Sequence, residues 1–306
     1  MLADSADVAL SPSTLADAIE RLFAERSAGR AWSTPKSMIL PPDGRLLMTM
    51  MAACEDPPVM AVKSLVMNSA NSEQGLPQIN AQVTLTNAQT GAPLGVVDGN
   101  WVTEARTAAL SLVAARRMAR PDAVSLALVG TGVQGRAHLS ALAAEFPLER
   151  VFLVGRGRAN LDRLAARALD LGIEPVECDA ESALRAADMT VTSISYTQDT
   201  EPFLDAGWIK PGSFTAVTDT FVPWRRETLG AFDRCIIDDL EQEREMTARR
   251  LLSLDVVAGD LGGLLAGEVA GRQGDERTLF AFRGHALADL AAALLAHQIK
   301  GEEDAL

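Results

Sequence analysis

Cysteine, histidine and excess positive charge are what this sequence is shortest of. Its three cysteines, Cys54, Cys178 and Cys235, stand far apart and match no metal-ligand spacing. Cys178 and Cys235 fall in apolar runs where a buried thiol is the expected state, and so few cysteines fit a reducing cytoplasm. With three histidines besides, a catalytic metal is not expected. Acids outnumber bases by 41 to 28, a formal net charge of −13. That balance disfavours nucleic acid, whose phosphates demand a basic surface, and an anionic membrane surface with it. No uncharged apolar run reaches the roughly 18 residues of a membrane span, and the acidic opening residues carry no signal-peptide pattern. There is no internal repeat and no low-complexity tract. What is left, 306 residues at 48% hydrophobic and 23% charged, is the composition of a globular chain long enough for two domains.

Against these absences one stretch stands out, residues 123–138, AVSLALVGTGVQGRAH. A mostly apolar run, 123–129, leads into Gly130-Thr131-Gly132-Val133-Gln134-Gly135, and a helix-compatible segment follows. The pattern is strand, tight glycine turn, helix. Gly130 allows the sharp turn, Gly132 has no Cβ to keep a pyrophosphate from the backbone, and Gly135 lets helix and strand pack closely. The helix start adds unpaired N–H groups and the positive end of the helix dipole. A second strand at βαβ distance, 151–154, makes this a dinucleotide site with residues Gly130 to Gly135 as its cradle.

From residue 123 onward, candidate strands (123–129, 151–156, 173–178, 189–195, 212–218, 233–239, 278–284) alternate with candidate helices (133–145, 159–171, 181–187, 240–252, 285–299). Such alternation predicts a doubly wound parallel sheet. The first 120 residues read differently. A helix over 15–28 precedes β-like runs at 37–40, 46–52, 59–67 and 79–87, with turn residues after the last, which suggests an antiparallel α+β unit. Residues 103–117 form an alanine-rich helix with Thr103 as its candidate N-cap, and Arg120-Pro121-Asp122 reads as the hinge beyond it. The apolar last helix is expected to return to the first domain. The predicted fold is therefore α/β, a Rossmann-type doubly wound parallel sheet (121–277) inserted into a smaller α+β domain (1–120 plus 278–306).

In an NAD site the second strand ends in an acid that accepts from the ribose 2′-hydroxyl. Here it ends Val154-Gly155-Arg156-Gly157-Arg158, with no acid. Arg156 and Arg158 suit a 2′-phosphate and the glycines leave room for it, so NADP(H) is expected over NAD(H). Ser193 and Ser195, at the end of a parallel strand beside the expected nicotinamide, are either cofactor contacts or turn caps. His138, one turn into the first Rossmann helix, reads first as a packing residue. His285, at the start of the last helix, reads as a proton relay or as a plain helix-start residue.

Residues 98–109, DGNWVTEARTAA, followed by GTGVQGRAH, resemble the ornithine cyclodeaminase/mu-crystallin family. The resemblance runs over most of the chain, through Pro35-Lys36, Val62-Lys63, Gly259-Asp260-Leu261 and Gly284-His285-Ala286-Leu287-Ala288-Asp289. It implies a Rossmann domain joined to a smaller domain that binds substrate and builds a homodimer. It also implies hydride transfer between a nicotinamide and the α-carbon of an amino or imino acid. Basic residues of the smaller domain would hold the substrate carboxylate. Lys63 falls on the family's substrate lysine, Arg106 on the arginine that clamps the carboxylate, and Lys36 where many members carry arginine. A carboxylate in a water-poor cleft needs such paired cations.

Two departures bear on chemistry. The family aspartate that follows the strand here reading SFTAVT (213–218) matches Thr220 without gaps, with Asp219 one place earlier. Asp219 is thus a candidate general acid, or else a loop aspartate making a turn bond. The glutamate that binds the distal amine in ornithine cyclodeaminases aligns with Leu47, and no acid occurs from residue 44 to 54. An ammonium closed in without a carboxylate partner would cost about 3 kcal/mol or more, which disfavours ornithine cyclodeamination. The expected activity is reduction of a small imino acid by NADPH, reversible as an amino-acid dehydrogenase. Arg106 and Lys63 would fix the carboxylate, and Lys63 or Asp219 would supply the proton. The alternatives are a cyclodeaminase with recycled cofactor and a non-catalytic NADPH-binding protein.

Overall fold

The computed structural model describes residues 10–194, 200–246 and 250–303. The chain divides into two units, one running through Arg106 and resuming at His285, the other spanning Thr107–Gly284.

The first unit holds helix α1 (Pro12–Ser27), strands β1 (Ala31–Ser33), β2 (Ser37–Ile39), β3 (Leu46–Cys54), β4 (Val59–Met67), β5 (Ile79–Asn87) and β6 (Pro93–Asp98), the start of α2 (Gly99–Met118), and the last helix, α8 (Ala286–Glu303). The strands form one antiparallel sheet, ordered β1-β3-β4-β5-β6, with β2 also against β3. Side chains alternate across the three long strands. Met50, Ala52 and Cys54 of β3, Val59, Ala61 and Lys63 of β4, and Val83 and Leu85 of β5 are all buried on one face. Helix α8 packs against α1 and against β3 to β6, as expected for a last helix that returns to the first domain. The sequence pattern did not show β1, which is three residues long, or β6, which begins at a proline. Proline is tolerated there because β6 is an edge strand. Thr103 is not an N-cap. Helix α2 starts four residues earlier, at Gly99, where Asp98 Oδ1 accepts the Asn100 N–H at 2.8 Å.

The second unit is a parallel sheet of eight strands in the order β13-β12-β14-β11-β10-β7-β8-β9. In chain order these are β7 (Ser125–Val129), β8 (Arg150–Val154), β9 (Glu174–Glu177), β10 (Met189–Thr192), β11 (Phe214–Val217), β12 (Arg234–Ile237), β13 (Val257–Asp260) and β14 (Thr278–Ala281). Between them run α3 (Val133–Ala143), α4 (Arg158–Asp170), α5 (Ala180–Ala186), α6 (Leu240–Glu245) and α7 (Leu261–Ala266). Strands β7, β10, β11 and β14 are buried along their whole length, as a sheet covered on both faces requires.

Three expectations need correction here. Residues 278–284 do not belong to the smaller unit, since β14 hydrogen-bonds between β11 and β12. The division between units falls within α2 after Arg106, not at Arg120–Asp122. The later turns of α2 are bonded into the parallel unit, with Met118 C=O accepting from Thr278 Oγ1 at 2.8 Å. A continuous helix over 240–252 is also absent. Helix α6 ends at Glu245, and buried Glu243 turns back to accept the Leu251 N–H at 2.5 Å. β13 and α7 were not expected, being too short to show a period.

Candidate functional site

The strand order reverses at β7, which has β8 on one side and β10 on the other. Such a switch point leaves a crevice at the carboxyl ends of the strands, where open α/β sheets bind ligands. A cavity of about 600 Å³ lies there, lined by Gly130, Thr131, Gly132, Gly155, Arg156 and Ser193 among others. Gly130 has φ +109°, and a Cβ on it would meet Ser193 O at 2.6 Å. A Cβ on Gly135 would meet Gly130 O at 2.5 Å, whereas one on Gly132 would face open space. Each glycine thus does what the sequence pattern assigned to it: turn, open approach and close packing. The cradle fits a dinucleotide. Val133 and Gln134 occupy the first turn of α3, whose N-cap is Gly132.

Gly155, expected to leave room for a phosphate, leaves room for Thr131, since a Cβ on it would strike Thr131 Oγ1 at 2.6 Å. Ser193 borders the turn through its backbone, donating its N–H to Val129 O at 2.9 Å. Ser195 lies outside the described residues. Arg156 is exposed and lines the cavity. Arg158 does not line it. Its guanidinium is engaged by Asp162 at 2.8 Å and by Glu177, acids that hold its pKa above the usual arginine value. Of the two arginines expected at a phosphate, Arg156 alone lines the cavity, as does Asn160.

His138 is fully buried. Its Nδ1–H donates to Gln134 O at 2.8 Å and its Nε2 accepts from Ser111 Oγ at 2.9 Å. Burial drives its pKa down to about 4, so the ring is neutral and a packing element. Asp219 follows β11 and is 8% exposed. Its Oδ1 accepts from Thr192 Oγ1 and its Oδ2 from the Ile194 N–H, both at 3.1 Å. Trp224 Nε1 in turn donates to Thr192 Oγ1. The Asp219 carboxyl thus ties the end of β10 to the end of β11, and burial raises its pKa to about 6. Thr220, the ungapped family match, is the first of two consecutive residues in the left-handed region, with φ 54°.

In the antiparallel unit, Lys63 of β4 is 1% exposed. Its Nζ donates to Asp289 Oδ1 at 2.9 Å and to Thr103 Oγ1 at 2.5 Å. Thr103 Oγ1 in turn donates to Gly99 O one helical turn back, at 2.7 Å. Arg106, one turn along α2 and 6% exposed, places Nε 3.2 Å from the same Asp289 oxygen. Lys36, half-buried between β1 and β2, adds its charge to the field at Asp289. The structure thus sets Lys63 and Arg106 on one carboxylate, which also feels the charge of Lys36. Desolvation would raise the Asp289 pKa, but the Lys63 and Arg106 charges outweigh it and hold the group below the usual range. Burial lowers Lys63 to about 8, with Asp289 only partly offsetting that loss of solvation.

Sequence reasoning gave Asp289 no role, although it closes the run Gly284–Asp289 that carries the family resemblance. The signal was there: it is the one polar residue in 286–296, an otherwise apolar helix, and a buried carboxylate demands a cationic partner. Two polar atoms of the cluster have no hydrogen-bond partner, Arg106 Nε and Asp289 Oδ2. His285, by contrast, packs against Phe23 and accepts from Arg26 Nη1 at 2.9 Å. Leu47 pairs with Val66 on the sheet face opposite Lys63, which pairs with Met50. On the lysine's own face β3 offers Leu46, Met48 and Met50, so neither face of the strand carries an acid there. Among the described residues no cluster of potential metal ligands exists, and no helix is long and apolar enough to cross a membrane.

Comparison with known proteins bears on the family and the fold. The chain is 28% identical to the ketimine reductase mu-crystallin of Mus musculus over 82% of this chain and 79% of that one. It is likewise 28% identical to a Delta(1)-pyrroline-2-carboxylate reductase of Bacillus cereus, over 80% and 79% of the two chains. Among solved structures, the Delta(1)-pyrroline-2-carboxylate reductase of Thermococcus litoralis, in complex with NADH and L-proline, superposes with a TM-score of 0.87 at 26% identity, covering 98% of this chain and 96% of that one. The family model for ornithine cyclodeaminase/mu-crystallin matches residues 2–302, and the chain belongs to that family.

Proposed function

We propose that this protein is an NADPH-dependent reductase of small α-imino acids, reversible as an amino-acid dehydrogenase. The observation that carries the reading is the buried cluster of Lys63, Arg106 and Asp289, two cations on one carboxylate. One positive charge is left to balance, which suits the carboxylate of an incoming substrate. Arg106 Nε is an open donor for that carboxylate. Asp289 Oδ2 is an open acceptor for a cationic C=N–H group. When bound, NADPH supplies the hydride that reduces the imine carbon. Lys63, with its pKa near 8, gives a proton to the imine nitrogen and makes the adjoining carbon electrophilic, and solvent then reprotonates its Nζ. Asp219 serves a positioning role, because both of its oxygens are committed to the end of β10.

Preference for NADP(H) over NAD(H) is supported by Arg156 at the cavity and by the lack of an acid where β8 ends. A homodimer is supported by the sheet face turned away from α1 and α8, where Trp32, Met51 and Leu94 are 49%, 41% and 37% exposed. A cytoplasmic setting is supported by three cysteines that all stand free. The absence of an acid on the Lys63 face of β3 argues against a cyclodeaminase, which must hold a second amine.

The test is loss of NADPH absorbance with a panel of imino acids: cyclic ketimines, and pyruvate or glyoxylate with ammonia or methylamine. Fast oxidation with one member supports a reductase and names its substrate class. NADPH binding without oxidation of any member points instead to a cyclodeaminase or a non-enzymatic binder.

A further inference from the structure

The parallel unit carries a second cavity along the same edge of its sheet. It has a volume of about 680 Å³ and is lined by Thr220, Phe221, Glu227 and three arginines, Arg226, Arg250 and Arg283. Thr220 and Phe221 follow β11, and Arg283 follows β14, the neighbouring strand. Carboxyl ends of parallel strands are where such sheets bind ligands. Three guanidiniums around one cavity are unexpected in a chain of net charge −13.

Their pairing is unequal. Arg283 Nε donates to buried Glu243 Oε2 at 3.0 Å, which fixes that guanidinium in place. Arg226 is held by carbonyls instead. Its Nη1 donates to Leu251 O at 3.0 Å, its Nη2 to Thr220 O at 3.4 Å, and its guanidinium lies 5.6 Å from the Phe221 ring. Among the described residues no carboxylate forms an ion pair with Arg226 or Arg250. Partial burial, and then the charge of Arg283, lower the Arg226 pKa. Thr220 and Phe221 both have positive φ, 54° and 64°, a costly backbone for residues with a Cβ, and together they supply the carbonyl and ring that aim Arg226.

We propose that this cavity is an oxyanion site for a small ligand bearing a carboxylate or phosphate, with Arg226 as the open fork and Arg283 as the fixed one. A guanidinium binds either group through two parallel hydrogen bonds, and carbonyl-held arginines are already oriented for it. The anion has two conceivable sources, a separate small molecule or a second acidic group on the imino-acid substrate. The site itself does not depend on the reductase reading.

Calorimetric titration of inorganic phosphate and of succinate, into protein saturated with NADPH so that the dinucleotide cradle is filled, tests the proposal without turnover. Arg226→Gln is expected to weaken binding at least tenfold, and Arg226→Lys by less. Arg225→Gln, whose arginine pairs with Asp205 and lies over Trp208 outside the cavity, is expected to leave it unchanged. Kinetics separate the sources. If the group belongs to the substrate, Arg226→Gln raises KM tenfold or more for an imino acid with a second carboxylate and not for one without. If it belongs to a separate anion, both KM values hold and the loss appears in the titration alone. Wild-type protein that binds neither anion, or Arg226→Gln that matches wild type in titration and in both KM values, overturns the proposal.

Discussion

Lys63 is enclosed by Asp289 and Thr103, and its pKa near 8 lies well below the 10.5 of a free lysine. The protonated form is the one that can activate an imine. As pH rises through 8 that form is lost, so kcat/KM is expected to fall with a limb near pH 8. Lys63→Met should remove the limb together with most of the turnover, whereas Asp219→Asn should leave the limb in place. Movement of the limb in Asp219→Asn would return the proton to Asp219. Arg106→Ala leaves Asp289 with one cation fewer and removes the open donor for the substrate. Truncating one partner of a buried charge pair costs about 2–5 kcal/mol, so kcat/KM should drop about a hundredfold or more while NADPH affinity holds. His138 has a separate consequence, for stability. Its folded pKa is about 4 against an ordinary 6.5, so as pH falls below 6.5 the unfolded chain takes up a proton that the folded chain refuses. Roughly 3 kcal/mol of stability is lost between those values. His138→Gln should flatten that part of a urea-midpoint profile against pH.

The strand–turn–helix element around Gly130 is where sequence and structure agree most closely, because the positive φ of Gly130, the open approach at Gly132 and the packing of Gly135 on Gly130 are all set within one short segment. The three positions should respond differently to alanine. Gly132→Ala faces open space at an ordinary φ of −77°, so stability should hold while cofactor affinity drops. Gly130→Ala and Gly135→Ala drive a Cβ into backbone at 2.6 Å and 2.5 Å, so both should lower the melting temperature even without cofactor. Equal melting losses in all three would contradict this division of labour. Alternating strands and helices were legible for the same reason, as 3.6- and 2-residue periods survive in one sequence. What was not legible is set by tertiary contacts. β14 reads as an apolar run and nothing local says which sheet it enters. Arg158 sits in a motif that suits phosphate, yet Glu177, nineteen residues on, claims it. Asp289 was invisible as a site residue because its partners lie 183 and 226 positions away in the chain, at Arg106 and Lys63, where only the fold brings them together.

At the scale of the whole molecule, a chain of net charge −13 keeps its buried excess of positive charge in one small cluster. The face of the antiparallel sheet turned away from α1 and α8 exposes Trp32, Met51 and Leu94. Trp32→Glu combined with Met51→Glu should convert a dimer to a monomer in light scattering, and an unchanged mass would place the interface elsewhere. Arg156→Ala should weaken NADPH far more than NADH, with equal losses counting against the 2′-phosphate role. The central claim is that an imino acid held by Lys63 and Arg106 receives hydride at its α-carbon. It is tested most directly with NADPH carrying deuterium at the transferable C4 position and an imino acid from the panel, with the amino-acid product analysed by mass spectrometry. The account requires one deuterium, bound at the α-carbon, with labelled product formed about a hundredfold more slowly by Arg106→Ala at low substrate. Oxidation of the cofactor with no deuterium at that carbon, or labelled product formed by Arg106→Ala at the wild-type rate, would contradict it.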